Sequence, residues 1–285
     1  MKKLSLYIAV MVLGRLMFAQ QLPQSSMYMM NNYLLNPAEG GTEDFIDLQM
    51  GYRTQWTGIN GDVGPKTIYL SGHSPIGKHS VNKDTTRENS AELEASVRPM
   101  AYHGVGGMVL SDNAGHFKTL EVKGSYAYHL PIGKNFNLSL GAFLGIKQLS
   151  LDNEKLISDS QGGTDPTLGT EATSSTINPD LTLGIWGYHK KYYFGISSFQ
   201  LLSNDVDIAA EAQDSKMNRH YYATGGTKVD ISSDLFLVPS ILIKVLPGVP
   251  LTTDLNAKVN YKQKYWGGAS FRLGNESESV VLLAG

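Results

Sequence analysis

The sequence predicts an all-β fold, an antiparallel transmembrane β-barrel, from three observations. Segments of about ten residues alternate between apolar and polar side chains, as strands with one apolar and one polar face do. Some of these segments carry lysine or glutamate on the polar face, which is typical of strands around a wet interior. The 285-residue chain also contains 30 glycines and 15 tyrosines, which suit tight turns and interfacial aromatic side chains.

Composition narrows the functional classes before any motif does. The formal net charge is −2, so bulk electrostatics indicates neither a nucleic-acid partner nor binding to an anionic membrane surface. The chain has no cysteine, so stability has to come from hydrogen-bonded closure or core burial rather than from disulfides. The length accommodates one large β domain or two ordinary ones.

Residues 1–19 have the features of a secretory signal peptide. Two lysines precede an apolar run from Leu4 to Leu13, and cleavage is expected after Ala19. Arg15 lies unusually late for such a peptide, and a signal anchor is the alternative. The uncharged run is shorter than the ~20 residues of a spanning helix, which favours cleavage. No later apolar run approaches that length, so membrane insertion would use strands.

Residues 20–44 are predicted to form an N-terminal arm, because their apolar residues do not recur with a sustained helical or strand period. Turn and chain-breaking residues recur in it, among them Pro23, Asn36-Pro37 and Gly40-Gly41, and an apolar cluster runs from Met27 to Met30. We expect a short helix or an irregular arm in the mouth of the barrel. A flexible leader is the alternative.

The barrel domain is predicted to cover residues 45–285 and to begin with a strand from Phe45 to Trp56. This pattern is about eleven residues long, the length that a tilted strand needs to cross a bilayer. With a period of two, its faces separate into an apolar and a hydrophilic set. The apolar set is Ile46, Leu48, Met50, Tyr52 and Trp56, and the hydrophilic set is Asp47, Gln49, Gly51, Arg53 and Gln55.

The same alternation predicts the later strands. In the fourth, Glu121 and Lys123 share the polar face; in the fifth, Phe143 breaks the alternation because it lies on the polar face. Glu121, Lys123, Arg53 and Lys258 are interpreted as solvated interior residues, with a specific polar network as the alternative. The predicted strands are 66–73, 101–110, 120–130, 136–148, 181–188, 192–199, 221–230, 235–245, 251–261, 265–273 and 280–284.

The predicted connections differ in length. Residues 78–99 form a polar, solvent-exposed loop, 152–180 and 203–219 form long polar loops, and 189–191 and 262–264 form short turns. In outer-membrane barrels long loops face outwards and short turns face the periplasm. The positions of the long loops and the short turns therefore also predict which end of the barrel faces outwards.

The chain is expected to be incomplete as a barrel. The last predicted strand, from Val280 to Gly285, is too short to cross the membrane at about 3.3 Å per residue. A sheet edge cannot be left unpaired in lipid, because each unsatisfied backbone group costs several kcal/mol. We therefore expect an open seam beside the strand that begins at Phe45.

The candidate enzyme motifs in the sequence do not have the residue spacing that their chemistry requires. After Ser74, the second glycine of a nucleophile elbow is missing, and Gly104, Gly106 and Gly107 lack the third glycine of a dinucleotide fingerprint. The seven histidines have no metal-ligand spacing. No catalytic residue, cofactor or metal is predicted, and His73 is interpreted as a polar residue that faces the interior.

Several segments, in this order, resemble the PorP/SprF family of type IX secretion system outer-membrane proteins. They are NNYLLNPAEGG, YRTQWTGINGDVGPKTIYLSGHSPIG, HGVGGMVLSDNAG, GSYAYHL, INPDLTLGIW and YWGGASFRLG, and the resemblance extends over nearly the whole mature chain. The positions that match the family motif are Asn36, Pro37, Tyr52, Arg53, Gln55, Trp56, Gly58, Ser71, His73 and Pro75.

The resemblance implies a barrel of about 14 strands in the outer membrane, of which about twelve are present here, without enzymatic activity. Family members continue past the end of this chain with strands that would close the barrel. The implied partners are outer-membrane lipid, the C-terminal sorting domains of large secreted adhesins, and periplasmic proteins of the secretion apparatus. A passive porin or small-molecule channel and an outer-membrane enzyme are the alternatives; an open lumen would favour the porin, and a plugged or narrow one the adhesin role.

Overall fold

The computed structural model describes residues 28–55, 64–78, 100–132, 135–152, 173–203, 217–262, 264–274 and 279–285. Within them, thirteen strands form one antiparallel sheet, which confirms the predicted fold class. Twelve of them follow one another in chain order, and the two-residue β9 pairs beside β10. The strands are β1 Asp47–Thr54, β2 Lys66–Ile76, β3 Tyr102–Ala114, β4 Phe117–Ile132, β5 Phe136–Asp152, β6 Thr173–His189, β7 Tyr192–Phe199, β8 His220–Thr227, β9 Val229–Asp230, β10 Leu235–Val245, β11 Thr252–Tyr261, β12 Tyr265–Leu273 and β13 Ser279–Ala284.

The two faces of the sheet differ as the alternation predicts. On β1, Leu48, Met50 and Tyr52 are 72%, 76% and 67% exposed, whereas Gln49 and Arg53 are half-buried on the other face. The same apolar outer face continues around the sheet, and a surface of this extent is one that lipid covers. It includes Ile68, Leu70, Val122, Leu130, Leu140, Leu144, Ile185, Ile196, Leu255 and Leu282.

The sheet is rolled around the N-terminal arm. Asn256 of β11 donates a hydrogen bond to the Tyr28 hydroxyl, and Asn31, only three residues later, donates to the Ser71 hydroxyl of β2. β3 to β8 and β10 lie between these two strands in the sheet. In a flat sheet they would be about 38 Å apart, at about 4.8 Å per strand, whereas three residues span at most ~11 Å. The sheet therefore curves until β2 and β11, which lie near its two ends, reach one short segment.

Several strands extend beyond their predicted bounds, and the predicted loop 152–180 is wrong at both ends. β5 reaches Asp152, and β6 begins at Thr173, so that Asp152 pairs with Thr173 and Gly145 with Asp180. Backbone pairing does not require an apolar alternation, and serine and threonine are accommodated in a ladder. The central part of that loop, residues 153–172, lies outside the described residues.

The connections at the two ends of the sheet differ in length. The links β4–β5, β6–β7, β9–β10 and β11–β12 are short turns at one end, whereas β5–β6 and β7–β8 are joined by long connections at the other. There are two exceptions to this rhythm. The β2–β3 connection is long although it lies at the short-turn end, and β3 and β4 meet in a tight turn at Gly115, which has a φ of 61°.

The described sheet has the open seam that the sequence predicted. β1 pairs only with β2, and β13 only with β12, among the described residues. The first strand begins at Asp47, two residues later than predicted. In the described part of the chain, no helix has the length and apolarity to span a membrane. The predicted signal peptide and the positions Trp56 and Gly58 lie outside the described residues.

Candidate functional site

The described part of the arm, residues 28–44, folds into two 3₁₀ turns that asparagines begin. The Asn31 Oδ1 atom accepts a hydrogen bond from the Leu34 backbone N at 3.3 Å, at the start of the turn Asn32–Leu34. The Asn36 Oδ1 atom accepts from the Ala38 N at 3.0 Å, at the start of the turn Pro37–Glu39. Asparagine side chains thus cap orphaned N–H groups, and proline occupies the first position, where no N–H is needed. The described residues of the arm form these short turns, and they pack against the inner face of the sheet.

Polar groups tie the arm to the interior wall. The Asn36 Nδ2 atom donates to the backbone carbonyls of Ile185 at 2.9 Å and Ile196 at 3.2 Å, on β6 and β7. Ser197 donates its hydroxyl to the Leu35 carbonyl at 2.5 Å. These bonds give partners to groups that would otherwise be buried without one, so they hold the arm in a defined position.

An aromatic cluster surrounds Tyr33. Its hydroxyl shares a hydrogen bond of 2.6 Å with the Ser125 hydroxyl on β4, and its ring centre lies 5.0 Å from that of Phe143 and 4.7 Å from that of His73. Phe143 is fully buried. Its departure from the β5 alternation is explained, because it faces the arm rather than water.

Two histidines hold the peptide bond between Gly40 and Gly41. His129 Nε2 lies 2.8 Å from the Gly40 carbonyl oxygen and donates to it, while the Gly41 N donates to His73 Nδ1 at 3.1 Å. Because His73 Nδ1 accepts, its proton lies on Nε2, 3.6 Å from a carboxylate oxygen of Glu39. The His73 imidazole is therefore neutral in this arrangement, and both polar groups of one peptide unit are satisfied.

Glycines on the wall allow the arm backbone to approach it. A Cβ on Gly104 would lie 1.9 Å from the Gly40 oxygen, and a Cβ on Gly141 would lie 2.4 Å from the Ala38 nitrogen. Both contacts are with backbone atoms, which cannot move aside as a flexible side chain can. These strand glycines serve close backbone approach rather than turns.

The start of the arm contacts the far side of the sheet. Besides the bond from Asn256 to Tyr28, the Lys258 Nζ atom donates to the Met29 carbonyl at 3.3 Å. The arm thus crosses the interior from β11 to β2.

Burial is the main reason why the pKa of Tyr33 is raised to about 12, so the Tyr33 hydroxyl stays protonated.

Two buried ionic clusters line the same interior face. Lys123 lies 2.8 Å from Glu121 and 2.6 Å from Asp180, and Lys147 lies 3.2 Å from Glu121, which links β4, β5 and β6. In the second cluster, on β10 to β12, Asp254 pairs with Lys244 at 2.8 Å and Arg272 at 2.7 Å. The interpretation of Glu121 and Lys123 as solvated residues is wrong. Their mutual pairing offsets the cost of removing each charge from water.

The structure brings together some of the family-motif positions and separates others. Asn36, Pro37, Ser71 and His73 all lie at the contact between arm and wall, and Pro75 lies beside Gly41. In contrast, Tyr52 faces outwards, Arg53 is half-buried on the inner face, and the Gln55 backbone N donates to the Pro65 carbonyl beyond the end of β1.

Sequence reasoning did not identify Tyr28, Tyr33, Ser125, His129 or Ser197 as part of this site. Alternation places the strand residues on the inner face but says nothing of what lies opposite them. Within the described ranges, no three His, Asp or Glu side chains converge as they would around a metal ion. What the arrangement does chemically is to place in the interior a segment that is held by hydrogen bonds from its backbone and its asparagine side chains to the wall.

Comparison with known proteins gives one family. Residues 17–285 match the family described as "Type IX secretion system membrane protein PorP/SprF". No curated protein matches the chain. Among solved structures, a double mutant of Rh. blastica porin is 7% identical, with a TM-score of 0.27 over 84% of this chain and 98% of that one. A likeness at that level carries no argument about the fold.

Proposed function

The chain belongs to the PorP/SprF family of type IX secretion system membrane proteins and resides in the outer membrane, and from this premise we propose its role in the apparatus. It assists the secretion of large adhesins, or holds them at the cell surface by their C-terminal sorting domains, and it contacts periplasmic components of the system. It performs no enzymatic reaction. Residues 1–19 act as the signal peptide, 20–44 as the plugging arm and 45–285 as the barrel.

The occupied interior is the observation that supports this role over that of a passive channel. A porin conducts through a water-filled lumen lined by polar side chains. Here residues 28–41 cross the interior and contact β2, β4, β6, β7 and β11, so they occupy space that a porin leaves to water. A plugged barrel is suited to binding a protein partner, because its surface and rim remain available while the membrane stays sealed.

The motif positions at the arm have a role in this proposal. Asn36, Pro37, Ser71, His73 and Pro75 hold the plug in the interior while the barrel is engaged with its partner. Of the other positions, Tyr52 contacts lipid.

Affinity isolation tests the proposal directly. The full chain, tagged and expressed in its own host, is extracted from outer membranes with mild detergent, and the proteins that accompany it are identified by mass spectrometry. We expect a large secreted adhesin that is not recovered with an unrelated tagged outer-membrane barrel. Recovery of no adhesin, with or without periplasmic secretion proteins, would contradict the adhesin role.

A conductance measurement distinguishes the proposed role from that of a passive channel. Purified protein reconstituted in planar lipid bilayers is expected to give no steady conductance, because the arm fills the interior. Reproducible ohmic steps from the unmodified chain would favour the channel.

A further inference from the structure

Two turns at the same end of the sheet carry pairs of lysines flanked by tyrosine. The β6–β7 turn contains Lys190 and Lys191 and is followed by Tyr192, and the β11–β12 turn has Lys262 and Lys264 between two tyrosines. All four lysines are exposed. Among the described residues, none of the four ammonium groups has a carboxylate within ion-pair distance. We refer to Lys190, Lys191, Lys262 and Lys264 as the basic rim.

The basic rim lies beside a belt of aromatic side chains on the outer face. Tyr192, Tyr261 and Tyr265 are all exposed on the lipid-facing side. The ring of Tyr192 stacks with that of Phe136, with centres 6.4 Å apart, and with that of His189 at 4.8 Å. Outward aromatic belts mark the boundary between hydrocarbon and headgroups in membrane barrels. The lysines next in the chain are therefore at headgroup depth.

The side-chain geometry of Lys262 agrees with that depth. Its Nζ atom lies 5.3 Å from the centre of the Tyr261 ring, so the apolar stem follows the aromatic belt while the charge remains beside it. The backbone of Lys262 has a φ of 51°, a conformation that glycine and asparagine adopt more readily than lysine. The turn therefore presents a lysine where backbone conformation alone favours another residue.

The chemistry of the basic rim identifies its partner. Ammonium groups together with tyrosine hydroxyls are donors for a phosphate, and lysines beside a membrane surface attract anionic lipids. The end of the sheet with most of the short turns faces the periplasm in outer-membrane barrels. The location within an aromatic belt favours lipid over a protein partner, which would dock beyond the headgroups.

We propose that the basic rim binds the phosphate groups of anionic phospholipids in the periplasmic leaflet of the outer membrane. The net charge of −2 gives no hint of such binding, because it sums the whole chain. The four lysines form a local excess of positive charge. In the neighbouring turn Asp230 and Asp234 oppose it, and Asp230 also lies 3.4 Å from the Lys228 ammonium group. Long-range attraction depends on this local distribution rather than on the sum.

Spin-labelled lipids test the proposal on the full chain. The protein is reconstituted in phosphatidylcholine vesicles that contain a trace of spin-labelled phosphatidylglycerol or spin-labelled phosphatidylcholine, and the fraction of motionally restricted label gives the relative association of the two lipids. We expect the unmodified protein to prefer phosphatidylglycerol about fivefold. The variant Lys190→Gln, Lys191→Gln, Lys262→Gln, Lys264→Gln is expected to show a ratio near one.

Matched variants of the same turns are the controls. Replacement of the four lysines by arginine keeps the charge and is expected to keep the preference, whereas Asp230→Asn with Asp234→Asn is expected to increase it. A variant that merely misfolded would not show these opposite directions. Added KCl is expected to reduce the preference, because salt screens exposed charges.

Three outcomes would overturn the proposal. The first is a ratio of one in the unmodified protein, and the second is an unchanged ratio in the glutamine variant. The third is competition by inorganic phosphate beyond that of KCl at equal ionic strength, which would assign the basic rim to free phosphate.

Discussion

At the scale of single residues, the position of the arm depends on wall glycines, which have no Cβ atom. Gly104 and Gly141 leave room for the backbone of Gly40 and Ala38, and no other residue type would. The polar residues around them complete the hydrogen bonds of that backbone, with His73 and His129 serving the peptide bond after Gly40. The site thus recognises main-chain atoms, which is why glycine matters on both sides of the contact.

Gly104→Ala is expected to displace the arm, because the new Cβ would lie 1.9 Å from the Gly40 oxygen. Overpacking of this kind costs about 1–3 kcal/mol. The measurement uses Met29→Cys, a buried reporter in a chain that has no native cysteine, and follows its modification by a maleimide. Gly124→Ala is the control, since the nearest atom to its Cβ would be the Leu144 oxygen at 4.0 Å. Equal modification rates in the two variants would show that this contact does not hold the arm.

Glu39 makes the stability of the docked arm depend on pH. Burial raises the pKa of Glu39 well above its usual range, and the neighbouring carboxylates of Glu43 and Asp47 raise it further. The folded state therefore binds this proton more tightly than the unfolded state, whose pKa is about 4.3. The contribution of Glu39 is most favourable below that value and is lost as the pH rises through the folded pKa.

Glu39→Gln is therefore expected to raise the unfolding temperature above neutral pH and to leave it nearly unchanged near pH 4. Heat-induced unfolding in detergent, followed by the shift in gel mobility at a series of pH values, measures this. Asp44→Asn removes a carboxylate that is 74% exposed and pairs with Lys78, so it is expected to give no such gain. Parallel pH profiles for the unmodified chain and Glu39→Gln would refute the assignment.

At the scale of elements, each strand has one face that contacts lipid and one that contacts the interior or the arm. The apolar alternation that separates the two is present in β1, β4 and β5 alike. The inner face is not uniformly tolerant of polar change, however. Ser125 would be a neutral position if the interior held water, but its hydroxyl is bonded to Tyr33.

Val122→Lys is expected to destabilise the sheet by about 2–4 kcal/mol if the residue is near the membrane midplane, because the charge would face hydrocarbon. Gln49→Lys, on the half-buried inner face of β1, is expected to be nearly neutral. Unfolding by denaturant in lipid vesicles gives both free energies. Equal losses at the two positions would mean that both faces are buried in protein, which would contradict the assignment of the outer face to lipid.

At the scale of the whole molecule, the arm holds the sheet in its curved form. It bonds to β11 through Tyr28 and to β2 through Asn31, and these strands lie near opposite ends of the sheet. Among the described residues β1 and β13 are not paired with each other. The arm therefore supplies a link between the two ends that the ladder of backbone hydrogen bonds does not.

Loss of that link is expected to broaden the distribution of distances between the two ends of the sheet. Spin labels at Leu70→Cys and Leu255→Cys, which face outwards on β2 and β11, report this distance by pulsed electron resonance. Asn31→Ala combined with Asn256→Ala is expected to widen the distribution. Ser197→Ala removes a bond to the wall between them and is expected to leave the distribution narrow. An unchanged distribution in the double variant would show that the arm does not hold the ends together.

The strand faces and the membrane-barrel class follow from the sequence itself. Side chains in a strand alternate with a period of two, and the outer face has to be apolar in lipid, so both properties are written locally in the chain. For that reason β7 and β12 have the predicted bounds, while β6 exceeds its predicted bounds through a mostly polar segment, residues 173–180. Backbone pairing in that extension depends on the neighbouring strand rather than on the pattern.

Only the tertiary structure decided what fills the interior. The sequence marks Asn36-Pro37 and Gly40-Gly41 as breakers, but their partners on the wall are far away along the chain: Ile185 for Asn36, and His129 for Gly40. The polar face of a strand looks the same in sequence whether it meets water, an ion-pair cluster or a plug. Which of these it meets depends on how the rolled sheet brings distant strands around the arm, and no local pattern carries that information.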